Sequence, residues 1–191
     1  MRPKSRLLLL ALLLAIAGCV RSLQPLYTDK DLVAKPEVIG SWLEEDGKET
    51  WTFRQSGPQS YIMVGSKGVP GDSARFDAHF VQLGKYLFLD LLPQKDGPAM
   101  KNDLYSFQLI PVHTFWRVWM EGDSFRPAML DNEWLKKMLD EGKLEIGHER
   151  VDDSIVLTAP TKELQLLVLK YAEDEKAFPK PGEFKRMKGK K

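Results

Sequence analysis

Residues 74–92 read ARFDAHFVQLGKYLFLDLL and contain the clearest β pattern of the chain. In its first half, apolar residues that begin with Phe76 alternate with polar ones, so that an extended chain would have one apolar face. Gly84 and Lys85 are typical of a tight turn, and residues 86–92 are nearly all apolar. An alternating run, a turn and a second β-prone run together predict an antiparallel hairpin.

Comparable β-prone runs recur along the chain, and each is bounded by turn-forming residues. They cover residues 40–45, 50–55, 60–65, 103–112, 114–120, 124–130 and 154–159. Short runs with this spacing are typical of an antiparallel meander, sandwich or barrel. The sequence therefore predicts a mainly β fold with about eight strands.

Two segments of the C-terminal third have helical spacing instead. Asp131 is suited to cap the first, which has an apolar stripe that begins at Trp134. Thr161 is suited to cap the second, which carries apolar residues from Leu164 to Tyr171. We therefore expect two short helices after most of the strands.

The N-terminal residues have the layout of a secretory signal. Arg2, Lys4 and Arg6 are basic, residues 7–17 form an uninterrupted apolar run, and small residues follow at the point of cleavage. The run is shorter than the roughly 20 apolar residues of a membrane-spanning helix. An uncleaved anchor and an ordinary secretory signal are the two alternatives to the interpretation that follows.

Cys19 ends the apolar run and is the sole cysteine of the chain. With this cysteine the segment resembles a bacterial lipoprotein signal, which implies that the thiol is lipidated and that cleavage falls just before it. The resemblance implies an exported protein, anchored by lipid to the bacterial membrane. Because Val20 rather than Asp follows the cysteine, it implies the outer membrane, facing the periplasm, in a Gram-negative source.

The pattern divides the chain into four parts. Residues 1–18 are the expected signal peptide. Residues 19–36, which hold two prolines and mixed charges, are the expected tether or linker, and we expect it to pack partly on the domain. Residues 37–178 form the predicted β domain. Residues 179–191 are rich in Lys and Arg, and we expect a disordered basic tail there.

Composition argues against several classes of function. The formal net charge is +1, which gives no indication of nucleic-acid binding. His79, His113 and His148 lie far apart in sequence and form no metal-ligand spacing, so we predict no metal site. The chain has no phosphate-binding, dinucleotide-binding or nucleophile-elbow motif, and we expect no cofactor.

Gly40-Ser41-Trp42 opens the first strand of the predicted domain. This Gly-x-Trp motif resembles that of the lipocalins and lipocalin-like barrels, in which the Trp plugs one end of the barrel and an Arg from a late strand lies across it. The sequence does not identify that Arg. The resemblance implies a lipocalin-like antiparallel barrel or meander.

A second resemblance covers most of the chain after Cys19. It involves the string Ser22-Leu23-Gln24-Pro25-Leu26-Tyr27-Thr28, the Gly-x-Trp motif, and residues 88–91, 109–115, 156–159 and 163–165. These segments look like a group of uncharacterised bacterial lipoproteins. The resemblance implies an address and a fold class, and it carries no activity or catalytic residue.

Five residues are candidates for a ligand site or for the end of the barrel. Trp42, Trp116 and Trp119 serve either as core or as the wall of an apolar cavity, and the sequence leaves open which face of residues 114–120 is inside. Asp90 stands in an apolar strand, where a carboxylate needs a partner. His113 lies near a strand end and suits either acid–base chemistry or a structural hydrogen bond.

These observations favour a binding module for a small apolar ligand, held at the cell envelope. The alternative is a structural or assembly partner of other envelope proteins. A hydrolase is the third hypothesis, and it requires Asp90 and His113 to converge in a cleft. The expected partners are therefore the membrane and either a small apolar ligand or an envelope protein.

Overall fold

A computed structural model of the chain describes residues 19–69, 72–94, 108–179 and 181–188. The expected signal peptide lies outside these residues. The strands, in chain order, are β1 (Arg21–Ser22), β2 (Gly40–Glu44), β3 (Thr50–Gln55), β4 (Ser60–Ser66), β5 (Ser73–Leu83), β6 (Tyr86–Pro93), β7 (Thr114–Glu121), β8 (Ser124–Met129), β9 (His148–Val151), β10 (Ser154–Leu157) and β11 (Phe184–Arg186). The helices are α1 (Asn132–Asp140) and α2 (Thr161–Lys170).

Eight strands close into an antiparallel barrel. The strands β2 to β8 pair in chain order, and β11 completes the ring by pairing with both β8 and β2. The predicted hairpin joins β5 to β6, with Leu83 opposite Tyr86 and Gly84 at a φ of +57° in the turn. The prediction of a mainly β, lipocalin-like barrel with two late helices is confirmed.

The strand that closes the barrel comes from the segment predicted to be a disordered tail. Phe184 is 3% exposed and lies opposite Phe125 on one side and Glu44 on the other. The prediction of disorder over 179–191 is therefore wrong for residues 184–186, because one buried aromatic side chain and two backbone ladders hold them. Of the run predicted as a strand at 103–112, residues 103–107 lie outside the described part and 108–112 form no strand.

Residues 20–36 of the predicted 19–36 tether pack along the outside of the barrel. Val20, Ser22 and Leu26 are buried, and β1 pairs in parallel with β10, which in turn pairs with β9. Farther along, the Val33 N–H donates to the carbonyl of Phe80 at 3.0 Å. We call residues 20–36 the N-terminal strap, and their packing on the domain is more extensive than the partial packing that the sequence predicts for a tether. The strap's backbone hydrogen bonds run to strands that are distant in sequence.

Two apolar cores lie on opposite sides of the barrel wall. The inner core fills the barrel with aromatic side chains: Trp42, Trp51, Phe53, Tyr61, Phe80, Phe125 and Phe184. The outer core lies between the wall, the N-terminal strap and the helices, and it includes Val81, Phe88, Phe115, Leu135, Leu164 and Val168. Because both faces of β6 are buried, its sequence is almost continuously apolar.

The helix starts follow the sequence prediction in one case and differ in the other. Asp131 caps α1, and its carboxylate accepts the Trp134 N–H at 2.6 Å. Thr161 does not cap α2, because Pro160 is the capping residue and Thr161 is already helical. Its hydroxyl instead donates to the carbonyl of Pro25 in the N-terminal strap at 2.9 Å, so that it ties the helix to the strap.

Candidate functional site

The antiparallel strands define two ends of the barrel. We call the end where β4 and β6 finish and β5 and β7 begin the open end, near Ser66, Ser73 and Thr114. We call the opposite end, where β2 begins at Gly40 and β5 turns into β6, the closed end. The two ends differ in how their aromatic side chains are covered.

Trp42 plugs the closed end. Its indole N–H donates to the carbonyl of Val38 at 2.7 Å, and its side chain is fully buried. The guanidinium of Arg186 lies 4.2 Å from the ring centroid and donates to the carbonyls of Ile39 and Glu37. Arg186 therefore has the position that the lipocalin resemblance implies for an Arg of a late strand. Sequence reasoning missed it because it lies within the basic tail.

The open end contains an apolar pocket of about 330 Å³. Its wall consists mainly of inward-facing side chains from six strands: Trp51, Met63, Phe76, Leu91, Trp116 and Met129. Polar groups, among them Glu49, Lys67, Asp72 and Thr114, also line it. A concave apolar surface with few polar groups is the usual form of a small-molecule site.

Two tryptophans shape this pocket. Trp51 and Trp116 pack edge to face, with ring centroids 5.3 Å apart. The indole N–H of Trp51 donates to Glu49 at 2.6 Å, and that of Trp116 donates to the hydroxyl of Thr114 at 3.3 Å. Because both N–H groups have local partners, the pocket presents the rings and not unsatisfied donors.

The structure shows which face of β7 points into the barrel, a point that the sequence leaves open. Trp116 and Val118 belong to the inner core, whereas Phe115 packs in the outer core. Trp119 is also on the outer side, where the guanidinium of Arg117 lies 4.3 Å from its ring centroid. Of the three candidate tryptophans, only Trp116 lines the pocket of the open end, while Trp42 and Trp119 lie elsewhere.

Asp90 and His113, chosen separately from the sequence, meet on the outer face of the barrel. The Nδ1 atom of His113 lies 2.6 Å from one carboxylate oxygen of Asp90, and the other oxygen accepts the Leu26 N–H at 2.8 Å. The backbones of His113 and Ser22 exchange two hydrogen bonds, of 2.9 and 2.8 Å. The pair therefore fastens the N-terminal strap to the barrel.

The arrangement places a serine near this Asp–His pair without forming a hydrolytic triad. The hydroxyl of Ser22 donates to the carbonyl of Gln24 at 2.8 Å. Both Ser22 and Asp90 are 0% exposed. A substrate would have to displace the N-terminal strap to reach either group, so the cleft that the hydrolase hypothesis requires is not formed here.

A second imidazole and a phenol extend this group of polar side chains. The rings of Tyr27 and His79 lie 4.7 Å apart. Burial, followed by the charges of Asp90, Asp77 and Asp29, raises the pKa of Tyr27 to about 12. Burial lowers the pKa of His79 below its usual value. Sequence reasoning missed Tyr27 and His79, since the strap brings them together from distant parts of the chain.

Cys19, the candidate lipidation residue, is exposed and borders the pocket of the open end. The next residue, Val20, is already buried in the outer core. The point at which the preceding 18 residues join the domain is therefore at the open end of the barrel.

Comparison with known proteins gives no relative for this chain. No protein-family model matches it, and no curated protein or solved structure shows significant similarity to it. In the described part of the chain, no helix has the length and apolar character required to cross a membrane.

Proposed function

We propose that this protein is a lipid-anchored lipoprotein of the bacterial cell envelope whose barrel binds a small apolar ligand at its open end. The observation that carries the proposal is the apolar pocket among Trp51, Met63, Phe76 and Trp116. Its volume of about 330 Å³ lies at the lower end of the range for small-molecule sites. This size suits a small aromatic molecule or one short chain.

The chemistry of the walls supports an apolar ligand over a charged one. The apolar part of the wall consists of aromatic, aliphatic and thioether groups, and the two indole N–H groups are already bonded. The polar groups that line the pocket carry both signs of charge, in Lys67, Glu49 and Asp72. Binding would therefore come from removal of apolar surface from water.

Sequence and position together support the lipid anchor. The apolar run of residues 7–17 ends at Cys19, and the thiol is exposed where a lipid can be attached. Two or more acyl chains anchor a protein stably, whereas one chain binds only marginally. We propose the same location as the sequence implies: exported, and facing the periplasm from the outer membrane if the source is Gram-negative.

Gly65 lines the pocket at a position where a larger side chain can be added, so a substitution there tests the proposal directly. A Cβ on Gly65 would meet only the sulfur of Met63, at 3.8 Å. We expect Gly65→Leu to weaken binding of the apolar probe N-phenyl-1-naphthylamine by about tenfold or more, because leucine occupies the probe's volume. Val64→Leu, on the outward face of the same strand, is the matched control and should bind as the native chain does. Equal binding by both variants would contradict the proposal.

Native mass spectrometry of protein extracted from membranes separates this function from its alternative. A co-purifying small apolar molecule would support the binding module. A co-purifying envelope protein, with no small molecule, would instead favour the structural or assembly role, for which exposed apolar residues such as Ile110 would serve as contacts.

A further inference from the structure

The chain leaves the barrel at the open end without a flexible linker. Val20 is 2% exposed and Ser22 is 0% exposed. The Ser22 N–H donates to His113 at 2.9 Å, and the Leu23 N–H donates to Leu157 at 2.9 Å. A membrane attachment at Cys19 would therefore keep the open end of the barrel within one or two residues' length of the attachment point.

Exposed apolar residues lie in the segments that follow β4 and precede β7, two strands that respectively end and begin at the open end. Val69, in the loop after β4, is 60% exposed. Leu109 and Ile110, shortly before β7 begins, are 49% and 75% exposed. We call these three residues the open-end rim. Cys19, which borders the pocket, lies at this same end.

We propose that the open-end rim rests on a lipid bilayer, so that the pocket opens toward the membrane and not toward the aqueous phase. The segment joined at Cys19 supports this occupant, since residues 7–17 are uninterruptedly apolar. A lipid on Cys19 would place the membrane at the open end, and so would an uncleaved apolar segment. The inference rests on the proposed function only for the location of the protein at a membrane.

The contact is apolar in character. Burial of the three rim side chains in the interfacial region removes apolar surface from water, as interfacial segments do. Attachment at Cys19 makes the contact intramolecular, so that weak contacts suffice to hold the orientation. The charges beside the pocket are of both signs, so the orientation should persist at high salt.

The closed end offers a matched comparison. Met187 follows β11 at that end and is 48% exposed, almost the same as Leu109. Ile39 precedes β2 at the closed end and is 38% exposed. These two residues test whether exposure alone, or position at the open end, determines contact with lipid.

The experiment places the photo-cross-linking residue p-benzoylphenylalanine at one position at a time in the full chain. Positions 69 and 109 report on the open end, and positions 39 and 187 report on the closed end. The protein is produced in a bacterial host and reconstituted in vesicles of phosphatidylethanolamine and phosphatidylglycerol. After illumination, lipid adducts are detected by mass spectrometry.

We expect lipid adducts at positions 69 and 109. At positions 39 and 187 we expect no more adducts than in the sample that is not illuminated. Adducts at both ends, at the closed end only, or at neither end would overturn the inference. Binding of N-phenyl-1-naphthylamine by the Cys19→Ser chain, which has no thiol to be lipidated, is measured in parallel. Probe binding without open-end adducts would support the proposed ligand site and rule out the membrane contact. Open-end adducts without probe binding would support the membrane contact and rule out the ligand site.

Discussion

The two ends of the barrel use tryptophan for opposite purposes. At the closed end, Trp42 is fully buried, its N–H bonds to the chain before β2, and Arg186 covers its ring. At the open end, Trp116 is half-buried and its N–H bonds to Thr114 on its own strand. In this barrel, a tryptophan therefore closes an end only where other parts of the chain cover its ring.

Trp51 separates the two regions. Its ring lies 4.9 Å from Phe184 in the inner core and 5.3 Å from Trp116 in the pocket wall. The side chain is 4% exposed, so it contributes both to the packed core and to the floor of the pocket. The packed half of the barrel thereby gives the open half a rigid base.

Replacement of a tryptophan should destabilise the protein more at the closed end than at the open end. Trp42→Ala should lower the free energy of unfolding by about 3–5 kcal/mol, because it leaves a cavity in a packed region. Trp116→Ala should lower it by only about 1–2 kcal/mol, since the side chain is already partly exposed. Urea unfolding, followed by far-UV circular dichroism, measures both. Equal losses would show that the two ends are packed alike.

The N-terminal strap runs between the two ends, and Asp90 is one of its buried polar attachments. Asp90→Asn should lower the free energy of unfolding by about 2 kcal/mol, because it weakens charge-assisted hydrogen bonds in a buried place. Hydrogen exchange at the Leu26 amide should rise in parallel. Asp77→Asn on β5, whose carboxylate is partly exposed, is the control and should change stability by less than about 0.5 kcal/mol. Unchanged exchange at Leu26 would refute the fastening role.

Loss of the Arg186 side chain that covers Trp42 should have a smaller effect on stability. Arg186→Met should cost about 1 kcal/mol, since it removes a cation–π contact and two hydrogen bonds to backbone carbonyls. Thermal unfolding measures the loss. Binding of the apolar probe should stay unchanged, because Arg186 does not line the pocket. A loss of probe binding would mean that the two ends are not independent.

The smallest effect is a pH dependence in the strap. The pKa of Tyr27 is about 12 in the folded chain, above its usual value of 10.0. Because folding favours the protonated phenol, its contribution is complete below pH 10 and is lost as the pH rises from 10 to about 12. Unfolding measured across this interval should show the loss in the native chain and a flatter profile in Tyr27→Phe. Identical profiles for the two chains would show that Tyr27 does not cause the pH dependence.

Local pattern predicted those elements whose stabilising contacts are close in sequence. The alternation around Phe76 and the turn at Gly84 give β5 and β6, and Asp131 caps α1 as expected. The strand β11 was missed because it has three residues, two of them basic, and lies after two prolines. It forms because β8 and β2 flank it on both sides, which no local pattern reveals.

The candidate site was predictable in part. Asp90 and His113 were identified one by one, because a carboxylate in an apolar strand needs a partner. Their contact depends on the β6–β7 pairing and on the strap above it, and neither is encoded in their spacing. The aromatic content indicated either a core or a cavity, and the structure contains both, with Trp51 at their boundary.

Methionine methyl groups report directly on whether the open end is the ligand site. Met63 and Met129 line the pocket, and Met187 lies at the closed end. In a chain labelled with ¹³C at the methionine methyls, titration with N-phenyl-1-naphthylamine should shift the signals of Met63 and Met129 in a saturable way and leave Met187 unmoved. Shifts at Met187 alone, or no saturable shift at Met63 and Met129, would rule out a ligand site at the open end.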